Sequence, residues 1–318
     1  MDALWILLGF AGLIVGGEWL VRGAVSIARR FDVSPMVIGL TLVGFGTSMP
    51  ELVTSLQAAM VGSPGIAIGN VVGSNIANIL LILGAAALMA PIMVSPQAFR
   101  RDGSMLALAT LLCLALVLSG TIGRLSGALL LACLLIYLVA TLVIERRRST
   151  AAGAVYQAEA DTLESEPDTL ARASTLLLLG LVATIVGARF LVSGAVAIAT
   201  DLGVSEAVIG LTIVAIGTSM PELVTSVIAA RKGQSDVAFG NVVGSNLFNI
   251  LGILGVTALF TPLSVPSIIV SQDIWVMLAA TVLLLWMAVT GWRITRREGG
   301  LLLGGYLAYL SFLLLTAI

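Results

Sequence analysis

The sequence predicts an all-α polytopic membrane protein, with ten transmembrane helices arranged as two inverted five-helix repeats. Three observations lead there. The 318 residues are 59% hydrophobic and only 10% charged, with a mean hydropathy of +1.11, whereas a soluble domain carries roughly a quarter charged residues. Ten runs stay apolar over about 20 residues, the length that crosses a bilayer as a helix. The second half of the chain also repeats the first at a constant offset of 171 residues, so that Gly46–Ser55 and Gly217–Ser226 both read GTSMPELVTS.

The runs fall near residues 3–28, 34–61, 66–90, 103–120 and 124–144, then 174–199, 205–231, 237–261, 271–291 and 299–318. They are too long and too evenly apolar for barrel strands, so they are helices. The first begins Met1-Asp2-Ala3-Leu4-Trp5, with no basic region before it and no cleavage site after it, and is expected to stay as a span. Glu18 and Arg22 stand four residues apart in it and are read as a structural pair. Gly62-Ser63-Pro64-Gly65 and the polar stretches at 96–102, 264–267 and 293–300 punctuate the later runs. Arg189, in the sixth run, is read as a snorkelling residue without an assigned role.

Residues 1–144 form the first repeat and 174–318 the second. Between them, 145–173 open with Arg146, Arg147 and Arg148 and continue with Glu159, Asp161, Glu164, Glu166 and Asp168. This linker is too short and too charged for a folded domain and is expected to be a solvated tether. The odd-numbered connections hold Arg29, Arg30, Arg100, Arg101, Arg146–Arg148, Arg172, Arg231, Lys232, Arg293, Arg296 and Arg297. The even-numbered ones hold little beyond Arg124. Positive charge stays inside, so the odd connections are cytoplasmic and both termini extracytoplasmic.

The same composition removes several functions. A net charge of −1 offers nothing to nucleic acid. With no histidine, His-based catalysis, His metal ligands and His proton relays are all absent. Cys113 and Cys133 lie in apolar runs and read as small hydrophobes. No nucleophile–base pair and no cofactor motif stands out, so neither an enzyme nor a bound cofactor is expected.

The repeat extends past its first phrase. GNVVGSN recurs at Gly69–Asn75 and Gly240–Asn246, and shorter matches such as Ile38–Thr41 with Ile209–Thr212 keep the same offset. Five spans per unit is an odd number, so the second unit enters the membrane upside down, as in secondary transporters with a midplane site. Within GTSMPELVTS, Pro50 and Pro221 have no N–H for the carbonyls of Gly46 and Gly217. Backbone freed at membrane depth must find other partners inside the protein or beside water. Glu51 and Glu222 lie at the same depth, where a carboxylate costs about 2.5–3.5 kcal/mol and marks a functional site. Thr47 and Ser48, and likewise Thr218 and Ser219, are expected to share the helix face of the glutamate that follows them.

The second phrase supplies an opposing wall. Asn70, Ser74 and Asn78 make one polar stripe, and Asn241, Ser245 and Asn249 make its counterpart. Gly69 and Gly73, like Gly240 and Gly244, read as close-packing positions. The donors on offer are carboxylates, hydroxyls, amides and carbonyls, without sulfur or imidazole. That set suits Ca²⁺ or Na⁺ and is wrong for zinc or copper.

These phrases resemble the alpha-1 and alpha-2 repeats of the sodium/calcium exchanger family, compact prokaryotic type, within the calcium/cation antiporter superfamily. The resemblance covers essentially the whole chain, with the alpha-1 motif in 39–80 and the alpha-2 motif in 210–251. It implies an integral protein of the cell (inner) membrane whose partners are Ca²⁺, Na⁺ and the lipid bilayer, with no cofactor. It makes Glu51 and Glu222 the central carboxylates, with Thr47 and Thr218 lending backbone oxygens to Ca²⁺. Ser48, Ser74 and the Gly44 carbonyl would line one Na⁺ site, and Ser219, Ser245 and the Ala215 carbonyl its counterpart. Asn78 and Asn249 would complete the centre. Asn249 departs from those relatives that carry aspartate there, which argues against potassium dependence.

The expected activity is Ca²⁺/Na⁺ antiport by alternating access, with Ca²⁺/H⁺ exchange at the same glutamates as the alternative. A cation channel is a further rival, but channels usually build their pores from symmetric rings.

Overall fold

A computed structural model describes residues 2–30, 44–148, 169–231, 233 and 235–317. The chain forms α1 (Asp2–Arg30), α2 (Gly44–Thr47), α3 (Met49–Met60), α4 (Pro64–Met89), α5 (Phe99–Leu118) and α6 (Arg124–Arg148). The second half follows with α7 (Leu170–Leu202), α8 (Glu206–Thr218), α9 (Met220–Arg231), α10 (Val237–Phe260), α11 (Ile269–Val289) and α12 (Arg296–Ala317). Eight of these helices are long and apolar enough to cross a membrane, and α8 with α9 adds a ninth among the described residues. This is an integral membrane protein. Of the expected second span, residues 34–43 lie outside the described ones and the remainder is α2 and α3. The linker expected at 145–173 also lies mostly outside them, and its two ends, 145–148 and 170–173, are helical.

Burial ranks the helices. In α4 and α10, 83% of the most apolar stretch is buried, against 22–39% for the other single-helix spans. The sequence explains why these two are central. α4 opens with PGIAIGNVVGSNIA, where small residues recur often enough for neighbouring backbones to come close. Gly69 lies against the Ala207 carbonyl and Gly73 against Leu211, so α8 seats directly on α4. A methyl group at Gly73 would stand 2.7 Å from the Leu211 oxygen, so the close-packing reading of that stripe holds. Among the described residues Gly244 meets nothing within 4 Å; the counterpart of Leu211, Leu40, lies outside them.

α1 and α7 form a long antiparallel pair. Gly9 faces Leu191, Gly12 faces Gly187, Gly16 faces Thr184 and Gly23 faces Leu177, so the numbers fall on one chain as they rise on the other. These are the first helices of the two halves. Gly187 permits the contact, since a Cβ there would lie 2.7 Å from the Leu13 nitrogen.

Two short antiparallel strand pairs tie the halves at their ends: β1 (Ile92–Met93) with β4 (Arg293–Ile294), and β2 (Thr121–Ile122) with β3 (Leu263–Ser264). Each pair joins one half to the other. Where α5 meets α11, Thr110 and Thr281 touch through their hydroxyls at 3.5 Å. They are the same position of the two sequence repeats, 171 residues apart.

Filling the α1–α7 seam should be costly. Gly187→Leu is expected to destabilise the fold by about 1–3 kcal/mol, read as a lower thermal midpoint of the purified chain in detergent.

Candidate cation site

The GTSMPE phrase breaks its helix in both halves, at the serine. Ser48 (φ −87°, ψ 6°) and Ser219 (φ −83°, ψ 8°) leave the helical region, and α3 and α9 restart with Met49-Pro50 and Met220-Pro221. Proline is at home in a first helical turn, where no partner is needed for its missing N–H. α8 and α9 meet at a 47° bend across the break. The restart places Glu51 and Glu222 in the first turns of α3 and α9, where the positive end of a helix favours a carboxylate.

The break changes which residues meet. The expectation that Ser48 lies on the face of Glu51 holds only for an unbroken helix. Instead Ser48 Oγ donates to Glu222 Oε1 at 3.3 Å, and Ser219 Oγ donates to Glu51 Oε1 at 3.0 Å. Each half's hydroxyl holds the other half's carboxylate. Thr218 likewise turns from Glu222, its one hydroxyl hydrogen within reach of Asn70 Oδ1 at 3.1 Å and of the Val214 carbonyl of its own helix at 3.0 Å. Thr47 closes α2, half-buried, and Gly44 opens it.

α4 and α10 meet α3 and α9 through one asparagine each. Asn70 Nδ2 donates to the Glu51 carbonyl at 3.2 Å and to Ser55 Oγ at 2.9 Å. Asn241 Nδ2 repeats this with the Glu222 carbonyl at 3.3 Å and Ser226 Oγ at 2.9 Å. Ser74 Oγ donates to Asn70 Oδ1 at 3.5 Å. Asn78 opens a π-helical turn, Asn78–Leu83, and Asn249 lies in another, Phe248–Ile253, a local unwinding often found at functional sites. Asn78 Nδ2 reaches across to Asn246 Oδ1 at 3.0 Å. Ala215 is buried, but its carbonyl accepts from the Ser219 N–H at 3.1 Å, so this expected Na⁺ ligand already holds one hydrogen bond.

Several buried atoms in the repeated segments remain unsatisfied among the described residues; oxygens predominate, although the Asn246 amide nitrogen is also without a partner. Glu51, Glu222, Asn78, Asn249 and Ser245 are each at most 2% exposed. Among the described residues, Glu51 Oε2, Glu222 Oε2, Asn78 Oδ1, Asn249 Oδ1 and Ser245 Oγ have no hydrogen-bond partner. Four of the five are pure acceptors. Buried polar atoms are normally paired, and a set of unpaired acceptors around two carboxylates asks for a cation. The five atoms named are all oxygens, the donor type that hard cations take.

The profile described as sodium/calcium exchanger protein matches residues 1–143 and 173–315. The chain belongs to the sodium/calcium exchanger family. It is 40% identical to CaxA of Alkalimonas amylolytica over 96% of both chains. It is 36% identical to the sodium/calcium exchanger MaX1 of Methanosarcina acetivorans over 98% of both. Among solved structures it resembles the sodium-calcium exchanger NCX_Mj soaked with Na⁺ and Sr²⁺, with a TM-score of 0.64 and 34% identity over 98% of this chain and 99% of that one. This exchanger family is one of transporters, not of enzymes.

For an exchanger the expected ligand set omits a supporting layer that the structure supplies: Asn70, Asn241, Ser55, Ser226 and Asn246. All five stand inside the twice-repeated phrases, which was the available signal. Removing one of these donors should be felt in the resting protein. Asn241→Ala strips a hydrogen from both the Glu222 carbonyl and Ser226, and a loss of about 1–3 kcal/mol is expected. The thermal midpoint in ion-free detergent solution measures it, with Asn241→Asp separating lost donors from lost volume.

Proposed function

We propose that this chain is a secondary active antiporter that exchanges Ca²⁺ for Na⁺ at the site between Glu51 and Glu222. The observation that carries the proposal is the set of buried, unpartnered acceptor oxygens contributed by both halves. Glu51 and Glu222 would serve as the central ligands, with Asn78, Asn249 and Ser245 beside them. Ser48, Ser219, Ser74, Thr47, Thr218 and the carbonyls of Gly44 and Ala215 would complete the Ca²⁺ and Na⁺ positions. Two carboxylates together carry about −2, which one Ca²⁺ neutralises; several Na⁺ ions on the same oxygens do so equally. Because the ions share ligands, each excludes the other, and transport becomes exchange.

The proposed topology is ten spans in two inverted repeats, 1–144 and 174–318, with both termini outside the cytoplasm. The antiparallel course of α1 and α7 and the exchanged strand pairs support the inversion. The arginine-rich odd connections support the orientation. A relative from Escherichia coli, 34% identical over 97% of this chain, is called an inner membrane protein, and the same membrane is proposed here. Alternating access then requires one part of the bundle to move against the site. The α1–α7 pair is proposed as that part, because α1 lies over both breaks: Val21 packs on Gly46 and Phe10 packs on Gly217.

Calcium uptake into proteoliposomes tests the reading. Loading with Na⁺ and diluting into Na⁺-free buffer should drive Ca²⁺ inward, and Glu51→Gln or Glu222→Gln should reduce uptake to background while leaving membrane insertion intact. Uptake that follows a pH gradient in the absence of Na⁺ would instead assign protons as the counter-ion. Full uptake in both variants would remove the two carboxylates from the mechanism.

A further inference from the structure

The two halves treat one equivalent aspartate differently. At the start of α5, Asp102 is gripped on both oxygens by Arg101, Nε to Oδ1 at 2.6 Å and Nη2 to Oδ2 at 2.9 Å, and Tyr137 donates to Oδ1 at 2.8 Å. One repeat later, at the start of α11, Asp273 stands in the same position, and Tyr309 donates to its Oδ1 at 2.8 Å. In place of Arg101 the second half has Gln272, so the guanidinium is missing. Asp273 is nonetheless the more deeply buried, 0% exposed against 8% for Asp102. Its Oδ2 has no partner, and neither has the buried Oε1 of Gln272.

A buried carboxylate without a counter-charge is costly, and an ionisable side chain within a spanning helix points to a function. Tyr309 satisfies one of the two oxygens. Both orphan atoms are acceptors, and among the described residues no donor reaches either. Gln272 Oε1 is as many bonds from its Cα as Arg101 Nε, the atom that touches the Asp102 carboxylate. A side chain at this position can therefore reach the neighbouring aspartate. One hydrogen placed between Asp273 Oδ2 and Gln272 Oε1 would satisfy both atoms and remove the charge.

We propose that Asp273 is a proton-binding site, separate from the Glu51–Glu222 pair, in which the neutral acid donates from Oδ2 to Gln272 Oε1 where the first half makes an ion pair. Among the described residues, the elements packed most closely on Ile269–Asp273 bring no charged side chain. Of the elements packed against Ile269–Asp273, the stretch Pro64–Ala77 carries no titratable residue and Ser104–Leu118 carries only Cys113. α12 brings Tyr309 and, one turn before it, Tyr306. The rest of α11 carries none. Loss of the proton leaves an uncompensated charge between α11 and α12, held by Tyr309 alone. That junction loosens as the proton leaves.

The sign of the pH effect follows from linkage. If the folded chain keeps a proton that the unfolded chain releases, raising the pH favours unfolding, by up to tenfold in the folded-to-unfolded ratio per pH unit. The experiment follows the thermal midpoint of the full chain in detergent, at fixed Na⁺ and without Ca²⁺, from about pH 5 to about pH 9. The wild-type midpoint should fall with pH relative to Asp273→Asn, which cancels contributions shared by the two proteins. Gln272→Arg, which rebuilds the first half's ion pair, should abolish that fall. Parallel curves for wild type and Asp273→Asn would overturn the proposal, and would mean an ionised aspartate held by the Gln272 amide turned over. A difference that follows Na⁺ or K⁺ concentration at constant pH would overturn it in favour of a metal cation. If Asp273→Asn does not fold, Gln272→Arg decides: a flat curve supports the proton site and a wild-type slope excludes it.

Discussion

The structure depends on the electrostatics of two carboxylates enclosed in an apolar bundle. Glu51 and Glu222 are at most 1% exposed, and each keeps one oxygen without a partner. A buried charge of this kind is tolerated only where its surroundings are organised around it. The proline-induced breaks at Ser48 and Ser219 put each glutamate in the first turn of a helix. Asn70 and Asn241 then hold the backbone carbonyls of the same two glutamates. Even the glycine-rich packing of α4 against α8 serves this end, since it brings Asn70 within reach of Thr218.

The second consequence is that neither half can be complete alone. Ser48 bonds to Glu222, Ser219 to Glu51, and Asn78 to Asn246, in each case across the two halves. A carboxylate satisfied partly from the other repeat is sensitive to how the repeats sit relative to one another. In the proposed antiporter this is useful, because an ion that draws the carboxylates together also sets the geometry of both halves. The cation thus acts as a differential ligand of the conformations, which is what a conformational change by binding requires.

Much of this was legible in the sequence because bilayer physics simplifies the code. Apart from the second span, whose start lies outside the described residues, apolar length gave spans within about four residues of the helices observed, and the repeat offset pointed to Glu51 and Glu222 together. The proline marked the break, but not its partner. Ser48 lies three residues before Glu51, and helical spacing assigned it there; the non-helical backbone at Ser48 redirects the hydroxyl to a residue 174 positions away. Nothing periodic links such pairs. The Asp102–Tyr137 and Asp273–Tyr309 bonds were invisible for the same reason, being contacts between helices 35 and 36 residues apart in sequence. The Asn246–Asn78 bond depends on how α4 and α10 cross, which the stripe on either helix does not encode.

The departures from symmetry carry the last step. In a perfect inverted repeat, the states open to either side of the membrane would be the same structure viewed from opposite faces, and equal in energy. A real antiporter with sides that differ needs that equality broken. The described residues break it in several places: Ser74 bonds to Asn70 while Ser245 has no partner among them, and Asn78 bonds to Asn246 while Asn75 Oδ1 has none. Two further differences bear on the proposed mechanism. α1 lays Val21 on Gly46 but Phe10 on Gly217, so one helix covers both breaks with side chains of unequal size. Arg101 neutralises Asp102 where Gln272 leaves Asp273 uncharged only if it keeps its proton. The first difference lies over the site and biases which break is covered. The second lies at the edge of the bundle, where α11 meets α12, and biases one half alone. Symmetry in the proposed mechanism makes exchange possible, and unequal contacts of this kind give its two states unequal energies.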